Sequence, residues 1–138
     1  MIRPVLVVVL LLLAMAMPDS VQAQAACPLN FEGRSNPTSC LCRGEGMLSG
    51  PVWGSGPYTS DSHVCRAALH AGAVPAAGGL VTVTPEPGRP SYRGGSANGV
   101  STMDYGPWQA SFSVTAAKPG AATPRRPAPP ISKGRGRC

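Results

Sequence analysis

The stretch YTSDSHVCRAALHAG, residues 58–72, holds one cysteine and both histidines of the chain. A cysteine among histidines can be a nucleophile with its base, part of a metal ligand set, or a half-cystine in a core. Spacing separates these readings. Thr59, Ser60, Asp61 and Ser62 are competent helix N-caps, and Gly72 followed by Pro75 supplies a stop, so the spacing predicts a helix over about 62–71. On such a helix Cys65 and His70 lie about 140° apart round the axis, and Cys65 and His63 about 160°. Neither imidazole reaches the sulfur as a general base. His63 and His70 share a side but stand about 10 Å apart along the axis, too far for one ion. The Cys–His hydrolase reading therefore fails on geometry. Cys65, Ala68 and Leu69 form an apolar stripe at the i, i+3, i+4 spacing with Val64 beside it, and His70, among alanines, reads as a hydrogen-bonded core histidine.

Cys65 has other sulfurs to meet. Cys27, Cys40 and Cys42 precede it, and Cys138 is the last residue of the sequence. A zinc site built from the first four lacks the usual paired spacing of about two to four intervening residues. In an exported chain, oxidation to disulfides is favoured instead. Four cysteines allow three pairings. In an extended Cys40-Leu41-Cys42 segment both thiols point to one face, so each can reach a different partner. Cys138 is then left over, a candidate for intermolecular bonding.

Export is read from residues 1–23. A basic start at Arg3 leads into the apolar run VLVVVLLLLAMAM, then Val21-Gln22-Ala23 with small residues at the cleavage positions, the pattern of a secretory signal peptide. The run from Val5 to Met17 is shorter than the roughly 20 residues that span a bilayer. Residues 24–116 are expected to form one small domain and 117–138 a disordered tail. Charge divides them. From Gln24 to Ala117 the arginines Arg34, Arg43, Arg66, Arg89 and Arg93 balance Glu32, Glu45, Asp61, Glu86 and Asp104. The formal +6 therefore belongs to the tail, where Lys118, Arg125, Arg126, Lys133, Arg135 and Arg137 meet no acid. With Ile131 as its one large aliphatic residue, the tail cannot offset its ordering entropy. Its cations Arg125, Arg126, Lys133, Arg135 and Arg137 suit an anionic envelope surface, through an attraction that salt weakens. No aromatic residue lies between them to stack on bases, so no nucleic-acid partner is expected.

The domain is poor in large apolar residues, and small exported domains of this kind make up the deficit with disulfides. Beyond the helix it reads as strand and turn. Residues 78–84, GGLVTVT, put Val81 and Val83 on one face and Leu80, Thr82 and Thr84 on the other. PEPGRP is expected to turn the chain, residues 91–93 to restart a short strand, and Asn98-Gly99 to make a hairpin turn. Trp108, Ala110, Phe112 and Val114 alternate with polar residues in a half-buried closing strand. Pro51-Val52-Trp53 offers another short strand. A helix among short antiparallel strands is an α+β arrangement. No acid–base pair or phosphate loop stands out, so no enzyme activity and no cofactor are expected.

The order VWGSGPYTSDSHVCRAALHAGAV, GGLVTVTPEPGRPSY, SANGVSTMDYGPWQASFSV resembles the LCCL domain, an extracellular module. Tyr58, Ser62, Cys65, Ala67, Ala68, His70, Ala71 and Gly72 fit its Y-x-x-x-S-x-x-C-x-A-A-x-H-A-G core. The likeness covers residues 27 to about 115 and is closer to bacterial exported LCCL proteins that consist of little else. At Cys40 and Cys42 the chain departs from the animal pattern, with Cys-x-Cys in place of Cys-Pro-x-x-Cys. The resemblance implies a central helix wrapped by β-strands, two disulfides paired in sequence order, and a periplasmic or extracellular, non-catalytic module that recognises glycan, lipopolysaccharide or a partner protein. Contact aromatics are sought among Trp53, Tyr58, Tyr92, Tyr105 and Trp108, with Tyr58 and Trp108 expected to pack on the helix. The alternative is an envelope structural protein tethered through its tail and Cys138.

Overall fold

The computed structural model describes residues 24–118. The signal peptide expected at 1–23, the tail cations Arg125, Arg126, Lys133, Arg135 and Arg137, and Cys138 lie outside the described residues. In chain order the elements are β1 (Thr38–Cys42), a 3-10 turn (Gly44–Met47), β2 (Tyr58–Thr59), α1 (Val64–His70), β3 (Gly79–Arg89), β4 (Ser96–Ala97), β5 (Val100–Ser101) and β6 (Trp108–Ala116). β1, β3, β6 and β2 form one antiparallel sheet in that order, and β4 with β5 forms a separate hairpin. One helix on a small antiparallel sheet makes the fold α+β. No helix among the described residues is long and apolar enough to cross a membrane.

The sheet follows from alternation. Val81 and Val83 of β3 and Phe112 and Val114 of β6 face the core, where they join Phe31, Met47, Val52 and Tyr58. Phe112 is the hub of an aromatic cluster, its ring 5.8 Å from that of Phe31 and 5.7 Å from that of Tyr58. The Asn98-Gly99 turn has φ of 50° and 75° at its two central residues, as a two-residue hairpin turn that follows strand twist requires.

Two expectations are corrected. PEPGRP does not turn the chain at residue 85, because β3 continues to Arg89 and pairs Pro85 with Phe112 and Pro87 with Ala110. The reason lies in parity. β1 stops pairing at Val83, so beyond it β3 is an edge strand. Arg89, two residues on from Pro87, sends its N–H away from β6 to the Tyr92 hydroxyl. Pro85 and Pro87 share that orientation, so their missing donors fall on the open edge, where proline is tolerated. The helix is also shorter than 62–71. It begins at Val64 with His63 in the N-cap position and no side-chain cap. The residues read as caps are used elsewhere: Thr59 lies in β2, and the Ser62 hydroxyl bonds the Trp53 N–H at 2.9 Å and the Thr59 hydroxyl at 2.9 Å.

The helix buries a face of small residues. Val64, Ala67 and Ala68 are fully enclosed, while Cys65 and Leu69 sit half-buried at its margin. The stripe is thus rotated by one position from the predicted Cys65–Ala68–Leu69 line. Alanines at 67 and 68 let a short helix approach the core closely. Beyond it, Gly72 takes φ of 72° and ends the helix in the left-handed region that favours glycine.

Candidate functional site

The motif from Tyr58 to Gly72 is an internal scaffold. β2 holds Tyr58 opposite Phe112, and its hydroxyl lies 2.8 Å from Nδ1 of His70 on α1. The two rings meet edge to face at 5.8 Å. His70 in turn offers its carbonyl to Nδ2 of Asn98 at 2.9 Å, tying the β4–β5 turn to the helix end beside Gly72. Burial raises the Tyr58 pKa to about 12. Tyr58 is 2% exposed and His70 5% exposed, so neither presents a reactive atom to a substrate in solvent. His63 lies elsewhere, with Nδ1 3.0 Å from the Ser49 carbonyl. Tyr58, Ser62, Cys65, Ala68, His70 and Gly72 therefore join β2, α1 and the hairpin rather than lining a cleft.

The sulfurs form a second centre. Cys27 is bonded to Cys40 and Cys42 to Cys65. Because β1 is extended, Cys40 and Cys42 both point inward and each meets a different partner. The two bonds are in contact: Sγ of Cys42 lies 3.5 Å from Sγ of Cys27, and the sulfurs of Cys27, Cys42 and Cys65 fall within 4.8 Å of one another. These are the atoms a thiolate metal site would use. As disulfides they carry no thiolate charge with which to hold an ion.

The surface chemistry lies on another side. Trp53, Tyr105 and Trp108 stand in a row, with ring centroids 5.6 Å apart for the first pair and 5.5 Å for the second, the latter edge to face. Three connections assemble the row. The segment at Trp53 pairs with Met103, Tyr105 bridges to Tyr92, and Trp108 begins β6. Nε1 of Trp108 donates to the Ser60 hydroxyl at 3.0 Å and fixes that indole. Tyr105 and Met103 are exposed, and Trp53 and Trp108 are half-buried. Of the five aromatics considered from sequence, Tyr58 and Tyr92 are interior and the other three gather on one surface. Trp108 is not lost to the interior, because its ring stands against Tyr105. Spacing within Tyr105-Gly106-Pro107-Trp108 could have paired two of them. Trp53 is some fifty residues away and carried no such signal.

Beside this row lies a pocket lined by Ser55, Pro57, Arg89, Ser91, Tyr92 and Arg93. Sequence reasoning did not single out Arg89 or Arg93, since PEPGRP was read as a turn and the domain's charge sums to zero. Another opening, at Leu69, Val74, Pro75 and Asn98, has no charged group, and a third abuts Cys27 and Cys65.

Comparison with known proteins gives a consistent result. The profile of the LCCL domain matches residues 17–112. Cochlin of Mus musculus is 34% identical over 115 residues, covering 78% of this chain and 21% of cochlin. Vitrin of Mus musculus is 40% identical over 68 residues, 49% of this chain and 10% of vitrin. Clotting factor C of Tachypleus tridentatus is 36% identical over 66 residues, 48% of this chain and 6% of that protein. The chain thus spans 21% of cochlin, 10% of vitrin and 6% of factor C, and it corresponds to one portion of each.

Proposed function

The chain belongs to the LCCL domain family, and from that premise we propose that it is an extracytoplasmic, non-catalytic binding module that recognises saccharide, on a glycan or lipopolysaccharide, through the Trp53–Tyr105–Trp108 face. One observation carries the reading: three aromatic rings, Trp53 from one segment and Tyr105 and Trp108 from another, converge at the surface, with Tyr105 exposed and both indoles half-buried. Aromatic faces offer large contact area at low entropy cost and carry a polar handle. Two disulfides in a small domain support the location, since such bonds persist in oxidising compartments. The Tyr58–His70 pair is too enclosed to act on a substrate, which supports a non-catalytic role.

The test is binding of the oxidised full chain to neutral oligosaccharides and to lipopolysaccharide, with Tyr105→Ala and Trp108→Ala compared alongside a chain truncated after Ala117. Loss of binding in the aromatic variants, with the truncated chain unaffected, is the expected result. Binding that needs the tail and disappears in salt, with no change in the aromatic variants, refutes the reading.

A further inference from the structure

The pocket beside the aromatic row is lined by two exposed arginines that have few side-chain partners among the described residues. Arg89 has one ion pair, to Glu86 at 3.9 Å, on a side chain that is 54% exposed. A pair so long and so exposed contributes little and yields readily to a better acceptor. No ion pair holds Arg93 among the described residues. Asp104, the acid next to Tyr105, has its carboxylate engaged by the Gly94 N–H at 2.7 Å.

Backbone pairing joins this pocket to the aromatic row. Arg89 is directly opposite Trp108 in the β3–β6 register, so both side chains leave the sheet on one face. Tyr92 is buried at the pocket floor. Its hydroxyl accepts from the Arg89 N–H at 3.0 Å and donates to Ser111 at 3.2 Å, while its backbone exchanges bonds of 2.8 and 2.9 Å with Tyr105. Ser55, two residues from Trp53, donates its hydroxyl to the Arg93 carbonyl at 2.8 Å. The ring-bearing segments and the backbone that carries both arginines are therefore tied by one set of bonds, while the guanidinium groups stay exposed.

Resting on the saccharide reading, we propose that this chain is specific for acidic saccharide: a sugar ring lies on the exposed Tyr105 ring beside Trp108 while its oxyanion substituent enters the Arg89–Arg93 pocket. The size fits a substituent. At about 250 Å³ the pocket falls below the roughly 300–1,000 Å³ of sites that enclose a drug-sized ligand. The donor type fits too, since the planar guanidinium fork matches phosphate, sulfate or carboxylate with two parallel bonds. The Ser91 hydroxyl at the pocket wall supplies a further donor.

The experiment titrates the oxidised full chain with glucose 6-phosphate, glucose 6-sulfate, glucuronate and glucose, following the Trp108 indole N–H and the Arg89 and Arg93 Nε–H signals by NMR. A second protein carries glutamine at Arg125, Arg126, Lys133, Arg135 and Arg137, so that attraction to the tail is separated from the pocket. The expected result is at least tenfold tighter binding of charged sugars than of glucose in both proteins, with indole and guanidinium signals moving together. The order among the three charged probes identifies the oxyanion. Arg89→Gln with Arg93→Gln removes the preference while leaving the thermal midpoint unchanged. A preference that survives the double substitution, or that vanishes when the tail is neutralised, overturns the inference. If charged and neutral sugars move the indole equally, acidic specificity falls and the saccharide face stands; if no sugar moves it, the face itself is refuted.

Discussion

Tyr58→Phe isolates one bond in the core. It deletes a hydroxyl and leaves the ring that packs on Phe112, so the altered term is the contact with His70 Nδ1 at 2.8 Å. The site offers no replacement. His70 is 5% exposed, and its Nε2 already lacks a partner among the described residues, so the substitution leaves an enclosed imidazole with neither nitrogen bonded to a side chain. A buried polar group left unsatisfied costs about 1–3 kcal/mol, and the middle of that range, about 2 kcal/mol, is the expected loss. For a domain of this size about 1 kcal/mol moves the midpoint by about 4–8 °C, so the oxidised variant should melt about 8–16 °C lower by circular dichroism. The cycle is completed with His70→Leu, which removes both nitrogens at similar volume. In that background Tyr58→Phe removes a hydroxyl that has itself lost its partner, and should cost less than about 0.5 kcal/mol. Equal costs in both backgrounds, or a loss below about 0.5 kcal/mol in the native one, would refute the assigned role of the pair.

Further outcomes follow from the same coordinates. With its pKa raised from 10.0 to about 12 in the folded protein, Tyr58 favours the fold fully below pH 10, and that contribution, about 2 kcal/mol, is lost as pH rises from 10 to 12; denaturant midpoints across that window should fall, and fall less in Tyr58→Phe. In Cys40→Ser the freed Cys27 thiolate lies 3.5 Å from Sγ of Cys42 and can attack it, forming Cys27–Cys42 and releasing Cys65 as thiolate. Peptide mapping should find that bond beside Cys42–Cys65, whereas Cys27→Ser should retain Cys42–Cys65 alone, and both variants should lose about 3 kcal/mol from opening the first loop. Gly78 has φ of 91°, and a Cβ there would clash with the Cys42 carbonyl oxygen, so Gly78→Ala should cost about 3 kcal/mol; Gly106→Ala, with open space, should stay within about 0.5 kcal/mol by the same denaturant assay.

Legibility in the sequence tracked the range over which each signal acts. Val81 and Val83, the alternation through Phe112 and Val114, and the Asn98-Gly99 turn are local patterns, and they appear as elements because no distant group competes for them. The helix start was misread because capping residues have two uses. Ser62 and Thr59 hydrogen-bond each other, and Ser62 also bonds the backbone at Trp53, a partner set by tertiary structure. Pro85 and Pro87 read as a turn because proline cannot donate, but that argument needs the edge of the sheet to be known. Where β1 ends opposite Val83 is fixed by its pairing with β3, and the proline positions do not encode it.

The candidate site was legible only in its residue types. Aromatic content raised Trp53 and Tyr105 as contact residues and assigned Trp108 to the helix, without showing that the three adjoin, since their meeting depends on the bridges Trp53–Met103 and Tyr92–Tyr105. Arg89 was hidden by a net charge of zero, which is blind to arrangement: one arginine spent on a distant acid and one placed in register with an indole give the same sum. The Cys-Leu-Cys segment is the converse case. Its period of two puts both thiols on one face within three residues, so each can reach a different partner, while which partner each takes was implied only by the family resemblance. A site read from sequence is therefore most secure where a single element carries its pattern, as β1 does for Cys40 and Cys42, and least where separate segments must meet, as at Trp53 and Tyr105.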